Sequence, residues 1–161
     1  MLPYKYLRFS LLITLVIFIA SASNLLAGYT PEDILGDWVY TDGPKQAKIN
    51  IYKKGNKYYG KLVWLKEPND ESGKPKVDKF NPDVSLRSRP LLGLEILRDF
   101  EFDGDDTWSG GKIYKTDEGS EYKCKMWFKD ERTLFVKGYI GISLLGKTKE
   151  FVRPNDWKLN K

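Results

Sequence analysis

From residue 36 onward, apolar and polar residues alternate with period two, and short clusters of Gly, Asp, Asn and Pro interrupt the alternation. The pattern predicts strands over 37–41 (DWVYT), 47–53 (AKINIYK), 57–65 (KYYGKLVWL), 92–102 (LGLEILRDFEF), 111–115 (GKIYK), 121–128 (EYKCKMWF), 133–140 (TLFVKGYI) and 146–153 (GKTKEFVR). "KGN" at 54–56 reads as a tight hairpin turn and "DGDD" at 103–106 as a polar one. No helical period is sustained; only one turn near Thr30 to Leu35, with a threonine cap followed by Pro31 and two acids, has the chemistry of a helix start. Short connections and one-sided alternation favour antiparallel strands over a parallel sheet. The expected fold is therefore all-β: a single antiparallel up-and-down barrel of about eight strands, with a long loop between the third and fourth.

Every second residue along these strands defines the expected interior: Trp38, Tyr40, Ile49, Ile51, Tyr58, Leu62, Trp64, Leu94, Ile96, Phe100, Phe102, Ile113, Tyr122, Met126, Phe128, Leu134, Val136 and Ile140. An eight-stranded barrel is just wide enough to be filled by side chains or to hold one small ligand, and so many aromatics favour a mostly filled one. Arg98 carries the inward parity of its strand. It is either a carboxylate anchor for a ligand or the mark of a β-bulge that turns the charge outward, and the bulge is favoured. Trp127 and Phe135 share the outward parity of neighbouring strands and predict an outer apolar pair or a patch that meets a partner.

The first 27 residues differ from the rest. Lys5 and Arg8 precede the apolar run LLITLVIFIA (11–20), and small residues follow up to Ala22 and Ala27. This is the pattern of a cleavable secretory signal, too short in its apolar part to span a bilayer. Tyr29 stands where a lipidated cysteine would, so no lipid anchor is expected, and residues 28–161 form one domain. Lys5 and Arg8 account for two units of the formal charge of +5, which leaves +3 for that domain. With no dense basic stripe, nucleic acid is not an expected partner. The expected product is a monomer in the periplasm or outside a bacterial cell, without a membrane anchor.

Candidate chemistry is sparse. The chain has no histidine, which removes the usual general base and the commonest zinc ligand. Its single cysteine, Cys124, reads as a small apolar filler. DGDDTW (103–108) fails the calcium-loop pattern, because Tyr114 stands where the closing glutamate belongs. The carboxylate pairs Glu95/Asp99 and Asp117/Glu121 fall at outward or turn positions, where solvation is the better account. No metal, cofactor or catalytic residue is assigned. The segment from Glu67 to Pro90 is long for a compact domain, and such loops are often functional. Asp78, Asn81 and Asp83 can fasten it to nearby amides, and Arg87 and Arg89 are fork donors for carboxylates. Two readings stand: a lid whose arginines meet an anionic ligand at the barrel mouth, or a loop tethered to itself across a barrel end. The second is favoured, since acid–arginine pairs satisfy each other without a ligand.

Gly36-Asp37-Trp38 at the start of the first strand and Arg153 at the end of the last resemble the lipocalin and fatty-acid-binding superfamily, or calycins. That resemblance implies a tryptophan plugging one barrel end with the arginine stacked across it. The ordered blocks GDWVY, IYKKGNKYYGKLVWLKEP, DKFNPDVSLRSRPLLGLEIL, GGKIYKTDEGSEYKCKM and LFVKGYIGISLLGKTKEFVRP resemble an exported bacterial family, domain of unknown function 2147. The family pattern places tryptophan where this chain has Phe151. The resemblance implies compartment and architecture, with no assigned reaction or ligand.

The functional expectation is an exported, non-enzymatic barrel that binds a small amphipathic or anionic molecule through Tyr58, Trp64, Arg98, Tyr122, Arg87 and Arg89. The alternatives are an envelope or protein-interaction module with a filled interior and, less favoured, a carboxylate-dependent hydrolase.

Overall fold

The computed structural model describes residues 28–40 and 45–154. The expected leader, residues 1–27, lies outside them. Eight strands, β1 (Gly36–Tyr40), β2 (Ala47–Lys54), β3 (Lys57–Leu65), β4 (Glu95–Phe102), β5 (Thr107–Lys115), β6 (Ser120–Asp130), β7 (Thr133–Tyr139) and β8 (Lys147–Val152), follow one another around a closed antiparallel barrel. β8 returns to β1 through Val39–Val152 and Tyr40–Phe151, so the sheet has no free edge. The β2–β3, β4–β5 and β6–β7 turns lie at one end, the base; the other connections lie at the mouth.

The base is sealed from within and from below. Trp38 is fully buried, and its indole N–H donates to the Ile34 carbonyl at 2.8 Å. The Arg153 guanidinium carbon stands 3.8 Å from the centre of the Trp38 ring. Arg153 donates to the carbonyl oxygens of Leu35 (2.9 Å) and Asp33, and thereby staples the end of β8 to the segment that enters β1. Burial lowers the Arg153 pKa from its ordinary value, yet an arginine remains charged at any physiological pH. Ahead of β1, Tyr29 packs on Phe128 at 4.1 Å between ring centroids, and Ile34 is fully buried. A chain of rings continues across the base through Trp38–Phe128 (5.8 Å), Phe128–Trp108 (5.5 Å), Trp108–Phe102 (4.9 Å) and Trp108–Tyr58 (6.3 Å). These offset and edge-on pairs fill the lower half of the barrel.

Bulges on β3, β4 and β5 shift the alternation. On β4, Tyr58 and Gly60 of β3 face Phe100 and Leu97, three residues apart, and Asp99 between them adopts φ +63°. Its carboxylate accepts from the Tyr59 hydroxyl at 2.9 Å, a local bond that supports an unusual backbone for aspartate. On β5, Trp108 and Gly111 face Met126 and Cys124, with Gly110 at φ +73° taking the extra step. On β3, Leu62 faces Ile49 and Trp64 faces Lys48, which leaves Val63 unpaired. The constant even parity expected along 92–102 is therefore wrong. Leu97 and Phe100 are the buried pair, with Leu94 buried ahead of them. Trp64 shares the outer side with Lys48, and Leu65 takes the inner one against Ala47. Trp108, expected as turn, is fully buried. Ile140, expected inside, is 72% exposed.

Small residues accommodate these shifts. A Cβ built at Gly111 would lie 2.4 Å from the Phe100 ring. Gly111→Ala is therefore expected to cost about 1–3 kcal/mol by overpacking. Urea unfolding checks this, and Phe100→Leu in the same chain is expected to return part of the loss. Cys124 is fully buried beside this layer, and burial pushes its thiol up to about 12. It remains a protonated filler.

Candidate functional site

The loop from 66 to 94 builds its own scaffold. Val77 and Pro90 form a bridge, the Asp78 amide donates to the Arg89 carbonyl (3.0 Å), and the Leu91 amide donates to the Lys76 carbonyl (2.9 Å). Asp78, fully buried, is the hub. Its Oδ2 accepts from Arg89 Nε (3.0 Å), Arg89 Nη2 (2.9 Å) and Asn81 Nδ2 (2.7 Å), and its Oδ1 from the Tyr114 hydroxyl (2.7 Å). Four donors occupy this carboxylate, which leaves no room for a reacting group. Burial, and then the bond to Asp78, raise the Tyr114 pKa. Asn81 Oδ1 accepts from the Asp83 amide, Asp83 caps the single 3-10 turn Val84–Leu86 through Ser85, and Arg87 Nε donates to the Asn81 carbonyl at 2.7 Å.

Ile113 packs against the core, so Tyr114 beside it leaves β5 on the outer face, where it is nevertheless buried. The loop thus fastens on the barrel wall. Its far side abuts the β5–β6 turn, where a Cβ at Gly119 would meet the Phe80 carbonyl oxygen at 1.8 Å. Arg87 and Arg89 are held by partners of their own loop, the tethered alternative of the two set out above.

The side chains expected to form one ligand site do not meet. Tyr58 is buried among the base aromatics. Trp64 lies on the outer side of β3. Arg98 leaves the outer face of β4 and pairs with Glu121, which also holds Lys112 at 2.8 Å. Lys112 and then Arg98 lower the Glu121 pKa. Tyr122 alone of the six reaches the mouth from inside: it faces Ile113 in register, and its hydroxyl donates to Glu118 at 2.6 Å. The other carboxylates weighed for acid–base work are similarly engaged. Glu95 accepts from the Tyr52 hydroxyl (2.5 Å), and Asp117 pairs with Lys45 (3.1 Å).

The mouth half of the interior contains a group absent from the interior set expected from the sequence. Lys149 faces Val136 across β7–β8 and alternates with buried Phe151, so it points inward. It is half-buried, with its ammonium 5.7 Å from the Tyr40 ring centre. The same half of the interior holds the inward positions Tyr40, Ile113 and Tyr122, all half-buried. Gly138 has no side chain between them: a Cβ there would touch Ile113 and Tyr122 at 3.2 and 3.8 Å. The run K-T-K-E-F-V held the signal for Lys149, since counting back by two from Phe151 turns Lys149 inward; Lys147, at the rim, is exposed. An open groove of about 270 Å³ lies at the opposite end, lined by Pro31, Lys53, Asn56, Tyr58, Glu101 and Phe102. Among the described residues no cluster of His, Cys, Asp and Glu could hold a metal ion. The buried Trp108 indole N–H has no hydrogen-bond partner there. The Trp127–Phe135 pair forms as expected on the outer wall, at 5.5 Å, beneath the ammonium groups of Lys125 and Lys129.

Residues 36–153 match the family described as "Uncharacterized protein conserved in bacteria (DUF2147)". Among solved structures, the chain is similar to protein HP1028 from Helicobacter pylori, described as belonging to the lipocalin family. That likeness has 24% identity and a TM-score of 0.64, over 74% of this chain and 82% of the other. At that identity it speaks for the fold. No curated protein matches the chain in sequence.

Proposed function

Since the chain belongs to the uncharacterised bacterial family DUF2147 and folds as a lipocalin-like barrel, we propose that it is an exported binding protein. It takes a small amphipathic molecule with an anionic group into the mouth of the barrel. The observation that carries this reading is the asymmetry of the interior. The base is packed with rings and closed by Trp38 and Arg153, while the mouth presents two tyrosines, an isoleucine and an inward lysine at half-buried positions. Inward positions of this kind would give a cup apolar walls and a cation, which suits a short apolar body with a carboxylate, sulfonate or phosphate head. The leader-like residues 1–27 support export to the periplasm or beyond. The engagement of Asp78, Glu95, Asp117 and Glu121 by neighbouring donors supports binding rather than turnover.

Titration with the fluorescent anion 8-anilinonaphthalene-1-sulfonate tests this. Saturable binding is expected, weakened about tenfold or more by Lys149→Glu, a change of about 1.4 kcal/mol. Leu144→Ser with Leu145→Ser, which alters exposed side chains outside the cup, is expected to leave the affinity unchanged. Equal affinity in wild type and Lys149→Glu would refute the reading.

A further inference from the structure

The β7–β8 connection is the most apolar exposed feature among the described residues. It reads IGISLLG (140–146), and Ile140, Ile142, Leu144 and Leu145 are 72, 62, 83 and 79% exposed. Single exposed apolar residues are ordinary; four on one seven-residue loop are not. The loop is also held in shape. A short 3-10 turn spans Ser143–Leu145, and Gly146 lies so close to Tyr139 and the Lys137 side chain that a Cβ there would come within 2.9 Å of each.

Charge says what covers it. Lys137, Lys147 and Lys149 lie on the strands that carry the loop, and no Asp or Glu occurs between Glu131 and Glu150. At the same end of the barrel, the 66–94 loop exposes Val84 (70%) and Phe80 (50%), with the Lys79 ammonium 4.9 Å from the Phe80 ring centre. An apolar tip whose nearest charges along the chain on both sides are lysines is suited to a surface with anionic heads above and hydrocarbon below. A protein partner would more often present mixed charge and an apolar patch ringed by both signs.

We infer that the 140–146 loop inserts into the interface of an anionic lipid bilayer and docks the barrel mouth-down on the membrane. Ile140, Ile142, Leu144 and Leu145 enter the acyl boundary, and Lys137 and Lys147 meet lipid phosphates. Among the described residues no helix is long and apolar enough to cross a membrane, so the contact is peripheral. The inference is independent of whether the cup holds a ligand.

The eight strands, the residues that seal the base and the loops at the mouth lie between Gly28 and Pro154, so the chain from Gly28 to Lys161 serves for the test. Ser143→Cys, labelled with the environment-sensitive fluorophore NBD, is mixed with vesicles of phosphatidylcholine alone or with 30% phosphatidylglycerol (about one lipid in three, a strongly anionic surface). The expected result is a blue shift and intensity gain with the anionic vesicles and little change with the neutral ones. Leu144→Ser with Leu145→Ser weakens vesicle binding more than about tenfold, and Lys137→Gln or Lys147→Gln weakens it about fivefold each. Because Leu144, Leu145 and Lys147 are exposed, thermal unfolding of those variants should not move, so a lost signal reports docking; half-buried Lys137 is judged only where its unfolding temperature is unchanged. No shift with anionic vesicles overturns the inference, as does vesicle binding indifferent to the leucine pair. Self-association that the leucine pair abolishes, without vesicle binding, would make the loop a contact between copies and overturns it equally.

Discussion

Trp38→Ala is expected to lower the stability of the barrel by about 3–5 kcal/mol, the usual cost of emptying a large aromatic from a packed interior. The indole does three jobs at once. It fills the base, it donates to the Ile34 carbonyl at 2.8 Å, and it offers its face to Arg153 at 3.8 Å. Deleting it leaves a void bounded by Phe128 and exposes the seam between the entry segment and β8. Arg153→Lys should cost less, about 1–2 kcal/mol, because a point ammonium cannot reach the Leu35 and Asp33 carbonyls together while lying flat on a ring. A double-mutant cycle on the pair should return a coupling of about 1 kcal/mol, within the range of a partly desolvated cation–π contact. Additive losses in urea unfolding would mean that the two side chains act separately.

The second large effect lies at the wall. Asp78→Ala removes the acceptor for four donors on Arg89, Asn81 and Tyr114. Breaking a buried ion pair from one side costs about 3–5 kcal/mol, and the lower figure applies here because Arg89 is partly exposed and can rehydrate. Asp83→Ala, at an exposed cap of the same loop, should cost only about 1 kcal/mol. The contrast is diagnostic. If the loop is fastened through Asp78, the first variant should also open cleavage sites between 66 and 94 to limited proteolysis while the barrel resists. Similar losses in the two variants, or an unchanged digestion pattern, would show that the loop is held by something else.

The architecture was largely legible in the sequence because its cause is local. Period two sets which face each residue takes, and β3 spans the residues 57–65 that the pattern predicts. The closing pair was legible as well, since Trp38 and Arg153 bracket the first and last strands. What the pattern could not carry were the bulges. Asp99 and Gly110 each insert one residue, so the inward face passes from Leu97 to Phe100 and from Trp108 to Gly111. DGDDTW (103–108) reads as a polar turn by composition, which hid Trp108. Trp64 was turned the wrong way by the unpaired Val63, and with it went the expected ligand site. Arg98 was readable as either anchor or bulge, and Asp99 beside it is the bulge. Tyr114 illustrates a different limit: an outward residue becomes buried when a distant loop lies over it, which no local period can report.

The most direct test of the account is an NMR titration of the isotopically labelled chain from Gly28 with dodecanoate, a single-chain anionic amphiphile. The predicted result is saturable shifts at Tyr40, Ile113, Tyr122, Gly138 and Lys149, with Ile34, Trp38 and Phe128 at the base unmoved. Absence of saturable shifts at those mouth residues, or shifts gathered instead at the base groove around Lys53 and Asn56, would contradict it.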